Sequence, residues 1–189
     1  QAARSEAVGD YDAALDQYQQ ALDGYLPGER DRTHTEKRMG TILWVQGDYE
    51  AAAQHLQRSQ DSPFRSLDGY KLLVDSLMKL ARWEEAEAVA NTWLQACIDA
   101  GDLGGSRADA LLALGRLARH RGDQVLARDF YTRALNLVPD HEAQVALATL
   151  IYEDGKPEVA EAVLVTYLRD APAGPVADKA LALLRKWMS

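Results

Sequence analysis

Cysteine occurs once in the 189 residues, at Cys97. No internal disulfide can form, so a fold held together by disulfide staples is excluded while the redox compartment stays open, cytoplasmic and periplasmic settings both being compatible. Phenylalanine occurs twice and proline six times. No apolar run approaches the ~18 residues of a membrane-spanning helix, so direct membrane insertion is not expected. Positive charge is scarce as well: 21 Lys and Arg stand against 29 Asp and Glu, a net charge of -8. Phosphate-backbone binding needs concentrated cations and is opposed by a negative field, so a nucleic-acid partner is not expected either.

The residues that carry chemistry are equally thin. His34, His55, His120 and His141 do not stand at metal-ligand spacing from one another or from Cys97, so no zinc site is expected, and all four read as exposed or rim residues. Cys97 falls late in a long helical stretch and reads as a small buried apolar residue rather than a nucleophile. Gly104-Gly105 is too short for a phosphate cradle and follows no strand. The acidic pair Glu84-Glu85 falls at a helix start, where the helix dipole favours it. The expectation is a protein with no cofactor, no metal and no catalytic centre.

What is abundant is alanine, the commonest residue of the chain, which favours closely packed helices over sheet. A turn signature recurs at Gly9-Asp10-Tyr11, Gly47-Asp48-Tyr49, Ala81-Arg82-Trp83, Gly122-Asp123-Gln124 and Gly155-Lys156-Pro157, the third of its four intervals being the longest. Five residues after the start of each turn stands an alanine: Ala14, Ala52, Ala86, Ala127 and Ala160. Four beyond it come Tyr18, Leu56, Ala90, Tyr131 or Leu164, and three further Ala21, Ser59, Trp93, Ala134 or Tyr167. Offsets of 3 and 4 place these positions on one helical face. Upstream of the turn a second apolar set repeats: Met39, Gly40, Leu43; Leu73, Val74, Leu77; Leu114, Gly115, Ala118; Leu147, Ala148, Ile151. Each unit is therefore predicted to be two helices joined by a tight turn. The glycines suit the left-handed close of the first helix, and Asp10, Asp48 and Asp123 suit the cap of the second. Pro27, Pro63, Pro139 and Pro172 are expected to stop the second helices.

This pattern resembles the tetratricopeptide-repeat family. Leu114-Gly115, Gly122-Asp123, Ala127, Tyr131, Ala134 and Pro139 preserve its motif best. The resemblance implies an all-α, right-handed solenoid of antiparallel helix pairs. Residues 1–189 are expected to form one such domain: 1–32 a partial repeat holding only the tail of its first helix, 33–66, 67–107, 108–140 and 141–174 four further repeats, and 175–189 a capping helix beginning near Val176. The long third interval is assigned to a loop over Gly101–Arg107. Because the chain starts at Gln1 inside a repeat, it is expected to be part of something longer, and its N-terminal end to be the least stable region.

The resemblance implies a function too. In this family the first helices line a concave groove that receives partners, usually extended peptides or helices. The residues of those helices that point away from the apolar set are Lys37, Thr41 and Trp44; Lys71, Asp75 and Met78; Arg116, Arg119 and His120; and Thr149 and Tyr152. Four bases beside one acid favour an acidic segment or a terminal carboxylate. Lys and Arg on helical faces are ordinarily just solvated. Trp44 is either a contact residue for a partner or packed against the neighbouring first helix. The family's carboxylate clamp sets Asn beside Lys, and no Asn stands at those places here. The expected function is a scaffold or adaptor binding a protein or peptide in the groove. The alternatives are a self-associating structural scaffold, or a regulatory or sensory segment of a larger enzyme or transcription regulator.

Overall fold

The computed structural model describes residues 2–7, 9–26, 29–139, 142–170 and 173–188. Pro27, His141 and Pro172 lie outside the described residues, and with them the roles expected of these three. Eleven helices follow one another among the described residues: α1 (Ala2–Ala7), α2 (Tyr11–Leu22), α3 (Arg30–Gln46), α4 (Tyr49–Gln60), α5 (Leu67–Lys79), α6 (Trp83–Asp99), α7 (Gly105–His120), α8 (Gln124–Leu137), α9 (Ala143–Glu153), α10 (Pro157–Asp170) and α11 (Pro175–Trp187). The chain divides into two compact units, 1–93 and 94–189, with the division falling inside α6.

The turns form as their residues dictate. At the end of α3, Gly47 takes φ 84, the N–H of Asp48 bonds to the carbonyl of Leu43, and the N–H of Gly47 bonds to that of Trp44. This crossed pair satisfies carbonyls that a helix end otherwise leaves open. The carboxylates of Asp10, Asp48 and Asp123 then accept from the backbone N–H of Ala13, Ala51 and Leu126 at 3.2, 3.1 and 3.0 Å, capping α2, α4 and α8. In the third repeat Ala81 stands where glycine stands elsewhere and still adopts φ 56, with Arg82 N–H bonded to Leu77 O at 2.9 Å. The left-handed conformation costs an L-residue about 1–2 kcal/mol, partly offset in a glycine variant by the greater freedom of its unfolded chain. Ala81→Gly is therefore expected to raise stability by about 0.5 kcal/mol. A higher urea midpoint at unchanged slope checks this, and a lower one would show that Ala81 is unstrained.

The recurring apolar positions form the core. Ala14, Ala52, Ala86, Ala127 and Ala160 are all at 0% exposure. Their small side chains let facing helices approach closely. A second rule couples the first and second helix of one repeat. A Cβ built on Gly40 would lie 2.6 Å from Leu56 Cγ, and one on Gly115 would lie 2.3 Å from the Tyr131 ring. The corresponding pair in the third repeat is Val74 and Ala90, both buried. There the larger side chain has moved from the second helix to the first, which explains why the third repeat lacks a large residue at position 90.

In the first unit Ala14, Tyr18 and Leu22 of α2 join Met39 and Ile42 of α3 in one cluster. The short α1 is tied down by Glu6, which accepts from Tyr18 Oη at 3.0 Å and pairs with Arg38 at 2.8 Å. In the second unit α7, α8 and α9 share one cluster, and Val145 and Ala148 of α9, Leu164 and Tyr167 of α10, and Ala180 and Leu184 of α11 share another. Helix α11 thus covers the apolar side of the last pair, as a cap must. It opens at Pro175, where proline costs little.

The loop before α7 differs from the sequence reading. The expected loop over Gly101–Arg107 is shorter at its C-terminal end, because α7 already begins at Gly105. The Asp102 carboxylate is the reason: it accepts from Gly104 N–H at 2.8 Å and Arg107 N–H at 2.9 Å, satisfying free amides at the start of α7. Much of the long interval is therefore helix.

Candidate partner-binding surface

The first helices carry the residues singled out above, and each unit presents its own face. On α3, Lys37, Thr41 and Trp44 are half-buried, one turn apart. On α5, Asp75 and Met78 are half-buried and Lys71 is exposed. The two helices are stitched together directly: Trp44 Nε1 donates to Asp75 Oδ2 at 2.9 Å, and Lys37 Nζ donates to Asp68 Oδ2 at 2.9 Å and to Ser66 Oγ at 3.2 Å. Of the two readings of Trp44, the structure supplies the second, a contact with the neighbouring first helix, while leaving the indole part-exposed. Thr41 Oγ1 donates back to Lys37 O at 2.9 Å, so its hydroxyl hydrogen is used within α3. Burial alone would raise the pKa of Asp68, but hydrogen bonds from Ser66 and Lys37 and the charge of Lys37 outweigh it and hold the carboxyl below its ordinary value. A depressed folded pKa means that the pair contributes above the unfolded value and is lost as pH falls through the folded one. With Asp68 72% exposed, that contribution is small.

In the second unit Arg116 of α7 pairs with Glu142 just before α9, and Arg119 with Glu153 at the end of α9, where its Nε lies 3.2 Å from Glu153 Oε2. Lys179 of α11 reaches Glu142 at 3.5 Å. Thr149 Oγ1 donates to Val145 O at 2.9 Å, and His120 is exposed. Tyr152 stacks on Trp187 of α11 with ring centroids 4.3 Å apart and planes 10° from parallel. Beneath the arginines Tyr131 is at 0% exposure, and burial pushes its phenol up to about 12 despite the charges of Arg119 and Arg116.

The sequence reading found the cations and missed their partners. Asp68, Glu142, Glu153 and Trp187 stand roughly one repeat downstream of Lys37, Arg116, Arg119 and Tyr152, respectively. That spacing was the available signal. With these partners in place, Lys37, Arg116 and Arg119 each meet a carboxylate directly.

Elsewhere the histidines need one correction. His34 and His120 are exposed, but His55 is only 15% exposed, its Nδ1 lying 2.7 Å from Glu36 on α3. Cys97 is buried, and burial pushes its thiol pKa up, away from the reactive thiolate. Among the described residues no group of three His, Cys, Asp or Glu could hold a metal ion. Among them, too, no helix is long and apolar enough to cross a membrane.

A tetratricopeptide-repeat family model matches residues 6–65, 37–101 and 71–142. Sequence comparison with curated proteins finds no match. Among solved structures, MamA is 20% identical and superposes with a TM-score of 0.70, covering 98% of this chain and 95% of its own. A tetratricopeptide protein of Thermus thermophilus is 22% identical, with a TM-score of 0.67 over 99% and 95% of the two chains. YrrB, a tetratricopeptide protein with an unusual peptide-binding site, is 18% identical, with a TM-score of 0.64 over 96% and 88%. At these identities the likeness concerns the fold.

Proposed function

The chain belongs to the tetratricopeptide-repeat family, whose members are generally non-catalytic scaffolds that bind proteins or peptides, and from that premise we propose that it is an adaptor holding a partner segment against its first helices. The observation that carries this reading is the row of half-buried polar and aromatic side chains there, Lys37, Trp44 and Asp75 on one unit and Arg116 and Tyr152 on the other. Aromatic and cationic anchors of this kind dominate interface energetics. The peptide-binding site of YrrB, on the same fold, supports the class of ligand.

An acidic segment fits these faces by exchange. On either unit a carboxylate of the segment would take the place of the resident one, Asp68 against Lys37 or Glu142 against Arg116, so each exchanged pair adds little. Contact with Trp44, Met78 and the Tyr152–Trp187 stack adds more, because it removes apolar surface from water. Charge then sets register and encounter rate rather than most of the affinity.

The test is position-specific photocrosslinking in the host cell followed by affinity measurement with the partner recovered. Crosslinkers at Lys71 and Met78 are expected to capture it, and crosslinkers at Val125 and Arg133 on α8 are not. Lys71→Glu with Arg116→Glu is expected to weaken binding about tenfold, roughly 1.4 kcal/mol. The control, Arg128→Glu with Arg133→Glu, also breaks ion pairs, to Asp154 and Asp129, and is expected to change affinity less than twofold. A partner that responds to the control pair and ignores the first pair would place the binding face on the second helices. A self-associating scaffold, the second reading, would instead give adducts between copies of this chain.

A further inference from the structure

Between the first two turns of α3, the end of α4 and the chain leading into α5 lies a cleft of about 420 Å³ whose lining contains no carboxylate. In a protein with 29 acidic and 21 basic residues, that is an inversion of the average surface. Arg30, His34 and Lys37 enter it from α3, and Arg65 and Ser66 from the connection between α4 and α5. Lys37 is held by Asp68 and Ser66. The side chains of Arg30, His34 and Arg65 have no acidic partner among the described residues; Arg30 lies instead 5.3 Å over the ring of Phe64, which is 46% exposed.

The connection that brings Arg65 there is fixed by hydrogen bonds. Thr33 Oγ1 donates to Glu29 O at 3.0 Å, and so accepts from Ser62 Oγ at 2.5 Å. Ser62 Oγ in turn accepts from Phe64 N–H at 3.2 Å. A second observation concerns Ser59, at the repeat position where Ala134 and Trp93 are buried in other repeats. It is 1% exposed, it lines this cleft, and its hydroxyl has no hydrogen-bond partner among the described residues. A buried hydroxyl left without a partner carries an uncompensated desolvation cost, which a ligand seated beside it relieves.

We propose that this cleft binds a dianionic oxyanion, a phosphate group. Cations converging from two elements, with the unpartnered hydroxyl of Ser59 beside them, match a tetrahedral group bearing two charges better than a single carboxylate. The inference concerns a local site on one unit and does not depend on a peptide lying along the first helices. The phosphate has two possible sources, the free ion or a phosphorylated side chain of a partner.

The experiment is titration of the whole chain, followed by amide NMR, with inorganic phosphate, O-phosphoserine and acetate at constant ionic strength. Phosphate is expected to give saturable shifts in the millimolar range, centred on His34, Phe64, Arg65 and Ser66. Arg30→Ala with Arg65→Ala is expected to weaken it at least tenfold, and Ser59→Ala at least threefold, whereas Lys156→Ala with Arg185→Ala leaves it within twofold. A purely structural role for Ser59 would leave phosphate affinity untouched. Tighter binding of phosphoserine than of phosphate assigns the group to a partner, and equal or weaker binding assigns it to the free ion. Acetate saturating as readily as phosphate, shifts scattered over the surface, or an arginine pair that binds normally would each overturn the proposal.

Discussion

Gly115→Val is expected to destabilise the protein by about 3 kcal/mol, at the upper end of overpacking costs. Valine is ordinarily a better helix residue than glycine by a few tenths of a kcal/mol, so propensity alone gives the wrong sign. Sterics decide. A Cβ at this position would sit 2.3 and 2.5 Å from Tyr131 Cε1 and Cδ1, and Tyr131, at 0% exposure, has nowhere to go. Tyr131→Ala alone is expected to cost a similar amount, about 3–5 kcal/mol, by leaving a cavity. Combined, the two variants recreate what the third repeat already uses, Val74 facing Ala90. The double variant is expected to be no less stable than either single one, a coupling of several kcal/mol where independent sites agree within about 0.5 kcal/mol. Denaturant unfolding of the four proteins measures it. Simple additivity would mean that residues 115 and 131 do not share one space, and the account of the third repeat would fall with it.

Glu36→Ala is expected to cost about 3 kcal/mol, because a buried hydrogen-bonding partner left unsatisfied costs about 1–3 kcal/mol and the space left behind adds to it. Glu36 is 2% exposed in the middle of α3. Its carboxylate meets His55 Nδ1 at 2.7 Å, Arg32 at 3.6 Å and Arg58 at 3.8 Å. The contact with His55 matters most, because Arg58 at 55% exposure is already well solvated. Alanine leaves the imidazole without its partner and opens space beside it. Glu36→Gln keeps the shape and an acceptor, so it is expected to cost only about 1–2 kcal/mol. For a chain of this size each kcal/mol corresponds to about 2–4 °C in Tm, which puts the two variants clearly apart. Equal losses for Ala and Gln would show that charge, not packing and hydrogen bonding, dominates. A loss under about 1 kcal/mol for Ala would show that the group is not effectively buried.

The fold was legible because it is written several times over. One repeat's Gly-Asp turn or buried alanine is weak evidence, but five copies at constant offsets leave few other structures that bury the same positions, and Ala14, Ala52, Ala86, Ala127 and Ala160 are all fully buried. Features used once were not legible. Glu36 and His55 stand in no relation that any other repeat copies, so their pairing could not be read from spacing. The early start of α7 depends on where a single carboxylate, Asp102, turns. The cleft beside Phe64 draws on two helices and a connection whose cations are scattered in sequence.

Sequence by itself determined the helix pairs, their turns and caps, and which side of each helix is apolar, because these follow from local propensity and from a period that repeats. Tertiary structure decided what the polar side does. The sequence showed Lys37, Arg116 and Arg119 as unopposed charge, whereas the fold sets Asp68, Glu142 and Glu153 against them. The reason is physical: helix periodicity says which way a side chain points, but the partner it meets lies on another helix, and only packing fixes the register between the two.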